Sequence, residues 1–211
     1  MATNGVVFAL RSMAGIRNRC MYCGDSEACD IEHFRPKGKP EWRANVFDWG
    51  NFLWICQPCN RLKNSVFPVM DDGWPMMLDP AIDRIWDFFD FSPETGYLVP
   101  ISEVGTIAYM RAAATVSEGN SRLSYEVILG ERQRAYRNLK RSAQIFFSSE
   151  QLEEDVEGFI QATLDSGYPE LVEWAYSLRG REIHPFSSLS NDAIFVERLR
   201  SAMNNAYPGV W

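Results

Sequence analysis

The stretch that decides the fold runs from Cys20 to Asn64 and reads CMYCGDSEACDIEHFRPKGKPEWRANVFDWGNFLWICQPCNRLKN. It opens with one Cys-x-x-Cys pair, Cys20 and Cys23, and closes on a second pair, Cys56 and Cys59. Each pair offers two sulfur atoms from one tight turn, so a single tetrahedral zinc ion would tie two distant turns together. The alternative is a pair of disulfides or redox-active dithiols. No secretory signal is visible, and reduced cytosolic thiols favour metal, so the sequence predicts structural zinc on these cysteines.

Glu32 and His33 stand side by side between the two cysteine pairs, on a segment that ends at Pro36. On an extended strand, neighbouring side chains point to opposite faces, so these two converge on one site only if the strand bends or a ligand reaches around it. Neutral imidazole, with an unperturbed pKa near ~6.5, can take a proton from water at neutral pH. Asn51 is the first residue of the expected second strand and knuckle, which run to Cys59, and Asn60 follows at the expected start of a helix.

This arrangement resembles the HNH endonuclease motif, the ββα-metal finger. That motif has an Asp/Glu-His pair on its first strand, a middle Asn, and a helix that carries a His or an Asn. The matching positions here are His33, Asn51 and Asn60. One branch is similar over a longer stretch, namely the HNH subunit of the Septu anti-phage defence system and its retron-associated relatives. The longer pattern comprises Asp48-Trp49-Gly50-Asn51, Asn60-Arg61-Leu62-Lys63-Asn64, Phe67-Pro68 and Leu78-Asp79-Pro80.

The resemblance implies a metal-dependent DNA endonuclease of the bacterial cytoplasm that works in phage defence with an ATPase-type protein partner. His33 would be the general base, and Asn51 would join the two limbs of the finger and orient His33. Glu32 and Asn60 would bind one catalytic Mg²⁺ or Mn²⁺ ion, although family members often have Asp where Glu32 stands. The expected catalytic set is therefore His33, Asn51, Glu32 and Asn60.

Basic residues near the motif are the expected contacts to DNA phosphates. They are Arg35, Lys37, Arg61 and Lys63. Arg61 and Lys63 could equally form an exposed helix face with no role in binding.

The charge distribution is uneven along the chain. Residues 1–70 hold nine Lys/Arg and six Asp/Glu, a net +3, whereas residues 71–211 hold twelve and twenty-two, a net −10. Phosphate contacts need cations, so the first third can face DNA while the remainder would mostly repel it. A protein partner that supplies part of the DNA-binding surface would explain this pattern. The alternative is an acidic, solvated surface without functional meaning.

We expect an α+β protein in three parts. Residues 1–70 would form an N-terminal ββα-metal (HNH) finger with four-cysteine zinc knuckles, and residues 71–100 a loop-rich connector with a hairpin of Phe88–Phe91 against Tyr97–Val99. Residues 101–211 would form a mainly α-helical body that docks onto a partner. In that body Tyr136, Leu139, Ala143 and Phe146 make a helical stripe, and Ser148-x-x-Gln151 predicts a capping box that opens the next helix. No apolar run approaches the ~20 residues of a membrane helix, which predicts a cytoplasmic protein.

Four further residues in the motif region carry expectations. Trp49 and Trp54 are expected to fill the small core of the finger, while Trp42 could pack there or stack on a base. Cys29, the fifth cysteine, is expected to be a small buried hydrophobic residue rather than a ligand.

Two other classes of protein compete with this interpretation. A zinc-ribbon binding module without catalysis would need the cysteines, but would not need Glu32, His33, Asn51 and Asn60 in register with them. A stand-alone restriction or homing-type nuclease would use the same finger but would need its own basic surface or helix-turn-helix for recognition, and neither is visible in the acidic remainder.

Overall fold

The computed structural model describes residues 5–24, 27–64, 66–166, 168–209 and 211, together with the backbone of residues 2–4. The chain is a mixed α+β protein, as the sequence predicts, and it divides into two compact units, Met1–Leu129 and Gly130–Trp211. The helices are α1 (Ala2–Met13), α2 (Gln57–Lys63), α3 (Ile107–Val116), α4 (Glu126–Ser148), α5 (Glu153–Leu164), α6 (Pro169–Ser177), α7 (Phe186–Leu189) and α8 (Ala193–Ala206). The strands are β1 (Asp30–His33), β2 (Phe52–Ile55), β3 (Phe89–Phe91) and β4 (Leu98–Pro100), and short 3₁₀ helices span Pro40–Asn45, Trp49–Asn51, Ile85–Asp87 and Arg179–Glu182.

Strands β1 and β2 form a two-stranded antiparallel sheet in the first unit. Their register runs from Asp30 opposite Ile55 to His33 opposite Phe52. Helix α2 follows β2 at once, with Pro58 in its first turn, where a missing backbone N–H costs nothing. The helix stops at Asn64, whose φ of 39° lies in the left-handed region.

One buried cluster of the first unit contains the four cysteines. Its buried members are Cys20, Cys23, Phe34, Leu53, Ile55, Cys56, Cys59, Phe67, Met77 and Ile128. Met77 and Ile128 come from beyond residue 70, so the later part of this unit shares one core with the cysteines. The boundaries predicted after residues 70 and 100 subdivide this region more finely and stay predictions.

The hairpin predicted near residue 90 is confirmed. Strand β3 pairs antiparallel with β4, with Phe89 opposite Pro100 and Phe91 opposite Leu98. The turn between them needs a positive φ, which Gly96 supplies at 79°.

The second unit consists of helices with a largely aromatic core. The predicted stripe of Tyr136, Leu139, Ala143 and Phe146 is buried along α4. The Phe146 ring stacks on the rings of Phe159 and Phe195 at centroid distances of 5.1 Å each.

The capping box predicted at Ser148–Gln151 is wrong. Helix α4 continues to Ser148, and α5 begins only at Glu153, where the Leu152 N–H donates to Asp155 Oδ2 at 3.0 Å. Gln151 lies between the two helices with a φ of 56°. Helix α4 thus ends on the residue that was predicted to cap the next helix, and Leu152 takes the capping position of α5 instead.

Among the helices described here, none combines the length and the apolar character needed to cross a membrane.

Candidate functional site

Four buried cysteine side chains converge at the centre of the first unit. The Sγ atoms of Cys20, Cys23, Cys56 and Cys59 all lie within 4.8 Å of one another. A zinc ion with four arms of ~2.3 Å places its sulfur ligands about 3.8 Å apart, and the Cys23 and Cys56 sulfurs are 3.9 Å apart. A disulfide would need about 2.05 Å, and all four thiols are free. The cluster could therefore hold one zinc ion, with no position left open for water.

Arg122 extends the cysteine cluster beyond its four sulfurs. Its Nη1 lies 3.8 Å from Cys56 Sγ, although 66 residues separate the two along the chain. Four thiolates around a divalent ion carry a net charge of −2, and a guanidinium at this place partly offsets it. Hydrogen bonds from the neighbouring thiols, that of Cys20 first, lower the pKa of Cys56.

One face of β1 lies against α2 through two polar contacts. Asn60 Nδ2 donates to Asp30 Oδ2 at 3.1 Å, and Lys63 Nζ donates to Glu32 Oε1 at 3.1 Å. Asp30 and Glu32 are two residues apart on the strand, so their side chains share a face, and Asn60 and Lys63 occupy neighbouring turns of the helix. Oxygen atoms of Asp30, Glu32 and Asn60 are thereby brought to one side of the sheet.

Lys63 is an interior residue rather than a surface cation. Its side chain is 2% exposed, and Nζ also donates to the His33 carbonyl oxygen at 2.6 Å. Burial lowers the pKa of Lys63, whereas the charge of Glu32 raises it. The expected contact between Lys63 and a DNA phosphate does not fit this position, because both of its partners are inside the protein.

His33 is buried against the start of β2 and a backbone carbonyl. Its Nε2 lies 3.0 Å from the Val46 carbonyl oxygen, and its ring packs edge-on against Phe52 with the centroids 5.1 Å apart. A carbonyl oxygen only accepts, so Nε2 carries the proton and Nδ1 carries the lone pair. Nδ1 is buried and has no hydrogen-bond partner within the protein. The imidazole is therefore held in the tautomer of a potential base, with Nδ1 as the basic atom.

The Asn51 side chain hydrogen-bonds to the backbone at two places in the segment that joins β1 to β2, namely at Arg35 and at Asn45. It is fully buried; its Oδ1 accepts from the Arg35 N–H at 2.7 Å, and its Nδ2 donates to the carbonyl oxygens of Arg35 and Asn45 at 3.1 Å and 3.0 Å. Asn45 directly precedes Val46, whose carbonyl orients His33. The Asn51 amide thus holds the backbone at Arg35 and Asn45 in place. Because Val46 follows Asn45, it also helps to position the carbonyl that orients His33.

The remaining predicted phosphate contacts lie nearer the surface. Lys37 and Arg61 are exposed. Arg35 is half-buried, with its guanidinium carbon 5.7 Å from the ring centroids of both Phe34 and Trp42.

Three expectations about the surrounding side chains can be compared with their positions. Trp54 is buried as expected, but Trp49 is 47% exposed, so the prediction that it fills the core is wrong. Trp42 is partly buried against the cysteine core. Cys29 lies outside the metal cluster as expected, but the prediction that it is buried is wrong, since it is exposed. It lies just before β1, and its backbone N–H donates to the Ile55 carbonyl oxygen while its side chain faces outward.

A buried carboxyl group lies close enough to Tyr22 to influence its titration. Asp79 is 4% exposed; its Oδ1 accepts from the Ala81 N–H at 3.0 Å, and its Oδ2 has no partner within the protein. Burial raises the pKa of Asp79. Burial also raises the pKa of Tyr22, and the negative charges of Asp79 and Glu32 raise it further.

The donors on β1 and α2 fit a hard divalent cation by their chemistry. Magnesium prefers oxygen ligands and retains several waters, so one carboxylate and one amide oxygen suffice. Asn60 turns its amide nitrogen towards Asp30, which leaves the amide oxygen unused by that bond. Within the described ranges, the cysteines are the cluster in which three or more His, Cys, Asp or Glu ligand atoms converge. A magnesium ion here would therefore depend on the amide and on water.

Asp30, Val46 and Arg122 are parts of the site that sequence reasoning missed. Asp30 carried a signal, since it lies two residues before Glu32 on the same strand face. Val46 acts through its backbone, and Arg122 is remote in sequence, so neither carried one.

Comparison of the chain with protein-family models, with curated proteins and with solved structures returned no significant match.

Proposed function

We propose that this protein is a metal-dependent DNA endonuclease of the HNH type, with a ββα-metal finger formed by β1, β2 and α2. The observation that carries the proposal is the state of His33. Its Nε2 is bonded to the Val46 carbonyl, and its Nδ1 is buried without a partner. A zinc ribbon without catalysis has no need of a histidine fixed in this tautomer.

In this proposal, the attacking water reaches His33 Nδ1, which is buried in this structure, when DNA binds, and gives its proton to that atom as it attacks the phosphorus. The new O–P bond forms in line with the bond to the 3′-oxygen, which breaks; the 3′-oxygen leaves with the electron pair and takes a proton from solvent water, which gives a 3′-hydroxyl and a 5′-phosphate. Asn51 keeps the Val46 carbonyl in place, so the imidazole does not turn as it gains charge. The Val46 carbonyl stabilises the imidazolium because it accepts from the Nε2–H.

Glu32 and Asn60 are the residues proposed to hold magnesium or manganese. When bound, such an ion would supply positive charge to the phosphate oxygens. Zinc on the four cysteines would be structural, since its ligand shell is complete. Lys37 and Arg61, both exposed, are the proposed contacts to the DNA backbone.

Nicking of supercoiled plasmid tests the proposal, because a single cut per molecule is visible. We expect nicking by the wild-type protein with Mg²⁺, and its loss in His33→Ala at unchanged zinc content. His184→Ala is the matched control, because His184 is the only other histidine and is exposed. Nicking by His33→Ala at the wild-type rate, or no Mg²⁺-dependent nicking by the wild type at micromolar protein, would contradict the proposal.

We also propose, from the resemblance to the Septu branch, that the protein acts in phage defence with an ATPase-type partner. The second unit offers a physical means. A cavity of about 300 Å³ there is lined by Phe146, Phe147, Val156 and Ile194, among others, and Ile194 is 77% exposed. Exposed apolar side chains around a hollow are typical of protein interfaces. Co-expression with an ATPase of the Septu type should give one peak on gel filtration, and Ile194→Glu should separate the two proteins.

A further inference from the structure

Two aromatic side chains lie exposed in the segment that joins β1 to β2. Phe47 is 92% exposed and Trp49 is 47% exposed. The 3₁₀ helix that precedes them, Pro40–Asn45, has no buried residue. A phenylalanine ring left almost wholly in water contributes little to the stability of this unit, so its whole face is available to another molecule.

The exposure of Phe47 is fixed by the fold. The two residues before it are held by side chains of the proposed catalytic set, since Asn45 accepts from Asn51 and Val46 accepts from His33. Two residues after it, the ring of Trp49 packs edge-on against Phe52 at 6.2 Å. The ring of Phe47 is therefore presented from an anchored backbone whose preceding peptide carbonyl orients the proposed base.

Charge around the two aromatic rings complements a nucleic acid. Residues 35–49 contain four Lys/Arg and two Asp/Glu, a net +2, in a chain whose net charge is −7. Of the four cations, Lys37 and Arg43 are exposed. Aromatic rings interleaved with cations bind unpaired strands, because the rings stack on bases while the cations meet phosphates.

We propose that Phe47 stacks on an unpaired DNA base next to the phosphate on which His33 acts. Trp49 flanks this base, and Lys37 and Arg43 contact the adjoining phosphates. The inference rests on the proposed nuclease function and names its substrate feature, a locally unpaired strand. Every base has a π-face, so this contact selects for strand state rather than for base sequence.

Binding to a fluorescent single-stranded oligonucleotide tests the inference separately from catalysis. The measurement is made with His33 intact and without added Mg²⁺, so that the DNA stays intact and the bond from His33 to the Val46 carbonyl is kept. We expect Phe47→Ala to weaken binding by about five- to 150-fold, the range found for removal of one stacked aromatic. Phe47→Tyr should bind within about twofold of the parent, and Phe47→Leu should be as weak as Phe47→Ala. Phe8→Ala is the matched control, since Phe8 is 75% exposed on α1, away from this segment in sequence.

Each outcome decides the inference. A loss under about twofold for Phe47→Ala, or an equal loss for Phe8→Ala, overturns it. Full binding by Phe47→Leu overturns it too, because it would show apolar contact without stacking. Equal losses on perfectly paired duplex DNA would indicate that Phe47 inserts between paired bases. That result would also overturn the inference, because it does not require an unpaired strand.

Failure of the inference is distinguishable from failure of the proposed function. If the wild type nicks plasmid through His33 and Phe47→Ala binds normally, the nuclease stands and the stacking contact falls. If binding depends on Phe47 but no Mg²⁺-dependent nicking occurs, the contact stands and the catalytic proposal falls. Zinc content and melting temperature measured for each variant exclude misfolding, which Phe47 at 92% exposure should not cause.

Discussion

The ammonium nitrogen of Lys63 lies 3.1 Å from Glu32 Oε1 and bonds the carbonyl oxygen of the next residue, His33, at 2.6 Å. A single buried cation on α2 thus contacts both residues of the Glu-His pair on β1. An ion bound by Glu32 must share its carboxylate with this lysine. The arrangement makes Lys63 part of the framework that positions Glu32 and His33.

Replacement of Lys63 by methionine should destabilise the first unit by roughly 3–5 kcal/mol, because it leaves a largely buried carboxylate and a carbonyl without their donor. Denaturant unfolding with zinc in excess measures this. Lys37→Met is the matched control: Lys37 is exposed, so we expect unchanged stability but a smaller salt dependence of DNA binding. A Lys63→Met protein that is as stable as the wild type but binds DNA more weakly would contradict this prediction. It would support the contact between Lys63 and a DNA phosphate that the sequence predicts.

Replacement of Asn51 by alanine should release the segment that carries Val46. It removes three hydrogen bonds inside the protein, at a cost of about 2–4 kcal/mol, and we expect cleavage to fall further than stability does. The ¹⁵N NMR signals of His33 report the tautomer, and the Nε2–H form should lose its predominance. Asn45→Ala keeps the backbone carbonyl that Asn51 contacts and should behave as wild type. If the tautomer of His33 persists in Asn51→Ala, the link between these residues is refuted.

Loss of one zinc ligand should unfold the first unit. We expect about one zinc per wild-type chain, and for Cys59→Ser little zinc and a loss of helix and sheet signal, because metal-binding energy is folding energy in small metal sites. Cys29→Ser, outside the cluster and exposed, should keep both. Metal analysis alongside circular dichroism distinguishes these cases, and a folded wild type free of zinc would end the assignment.

Replacement of Asp79 by asparagine should stabilise the protein at pH 7 and matter less in acid. Burial raises the folded-state pKa of Asp79 above its ordinary value of about 3.8, so the folded state holds the proton more tightly than the unfolded state. The penalty for a buried charge is absent below the unfolded value, grows as pH rises towards the folded value, and is constant above it. Thermal melts from pH 3 to 8 should show the gain of Asp79→Asn shrinking as pH falls. Asp71→Asn, at an exposed position, should show no such trend.

Two glycines in the second unit should respond to alanine in opposite directions. A Cβ on Gly180 would lie 2.6 Å from both the Ala175 Cα and the Trp174 ring, so Gly180→Ala should destabilise this unit by about 1–3 kcal/mol. A Cβ on Gly158, inside α5, meets nothing within 4 Å, and Gly158→Ala should stabilise the helix by roughly 0.5–1 kcal/mol. Melting temperatures that move in the same direction would contradict the packing at Gly180.

The sequence predicts those parts of this protein that depend on local spacing. Motif spacing predicts the four-cysteine cluster, and the motif resemblance with Pro36 predicts the strand around Glu32 and His33. Turn residues predict the β3–β4 hairpin. The burial of Lys63 cannot be predicted in this way. A lysine on a short helix has the same local sequence whether its side chain faces solvent or the Glu32 carboxylate. The exposure of Trp49 also depends on tertiary context, since the 3₁₀ turn before β2 aims that ring outward.

The core shared by the cysteines and Met77 has a consequence for limited proteolysis. The turn at Asp71–Trp74 is exposed, with Trp74 at 68%, so a protease should cut there readily. The two fragments would stay together in solution, because Met77 and Ile128 of the later fragment pack with the cysteines, and Arg122 donates to Cys56. Such a nicked protein should migrate as two bands on a denaturing gel yet elute as one species, and the separated fragments should reassemble when zinc is returned to the mixture.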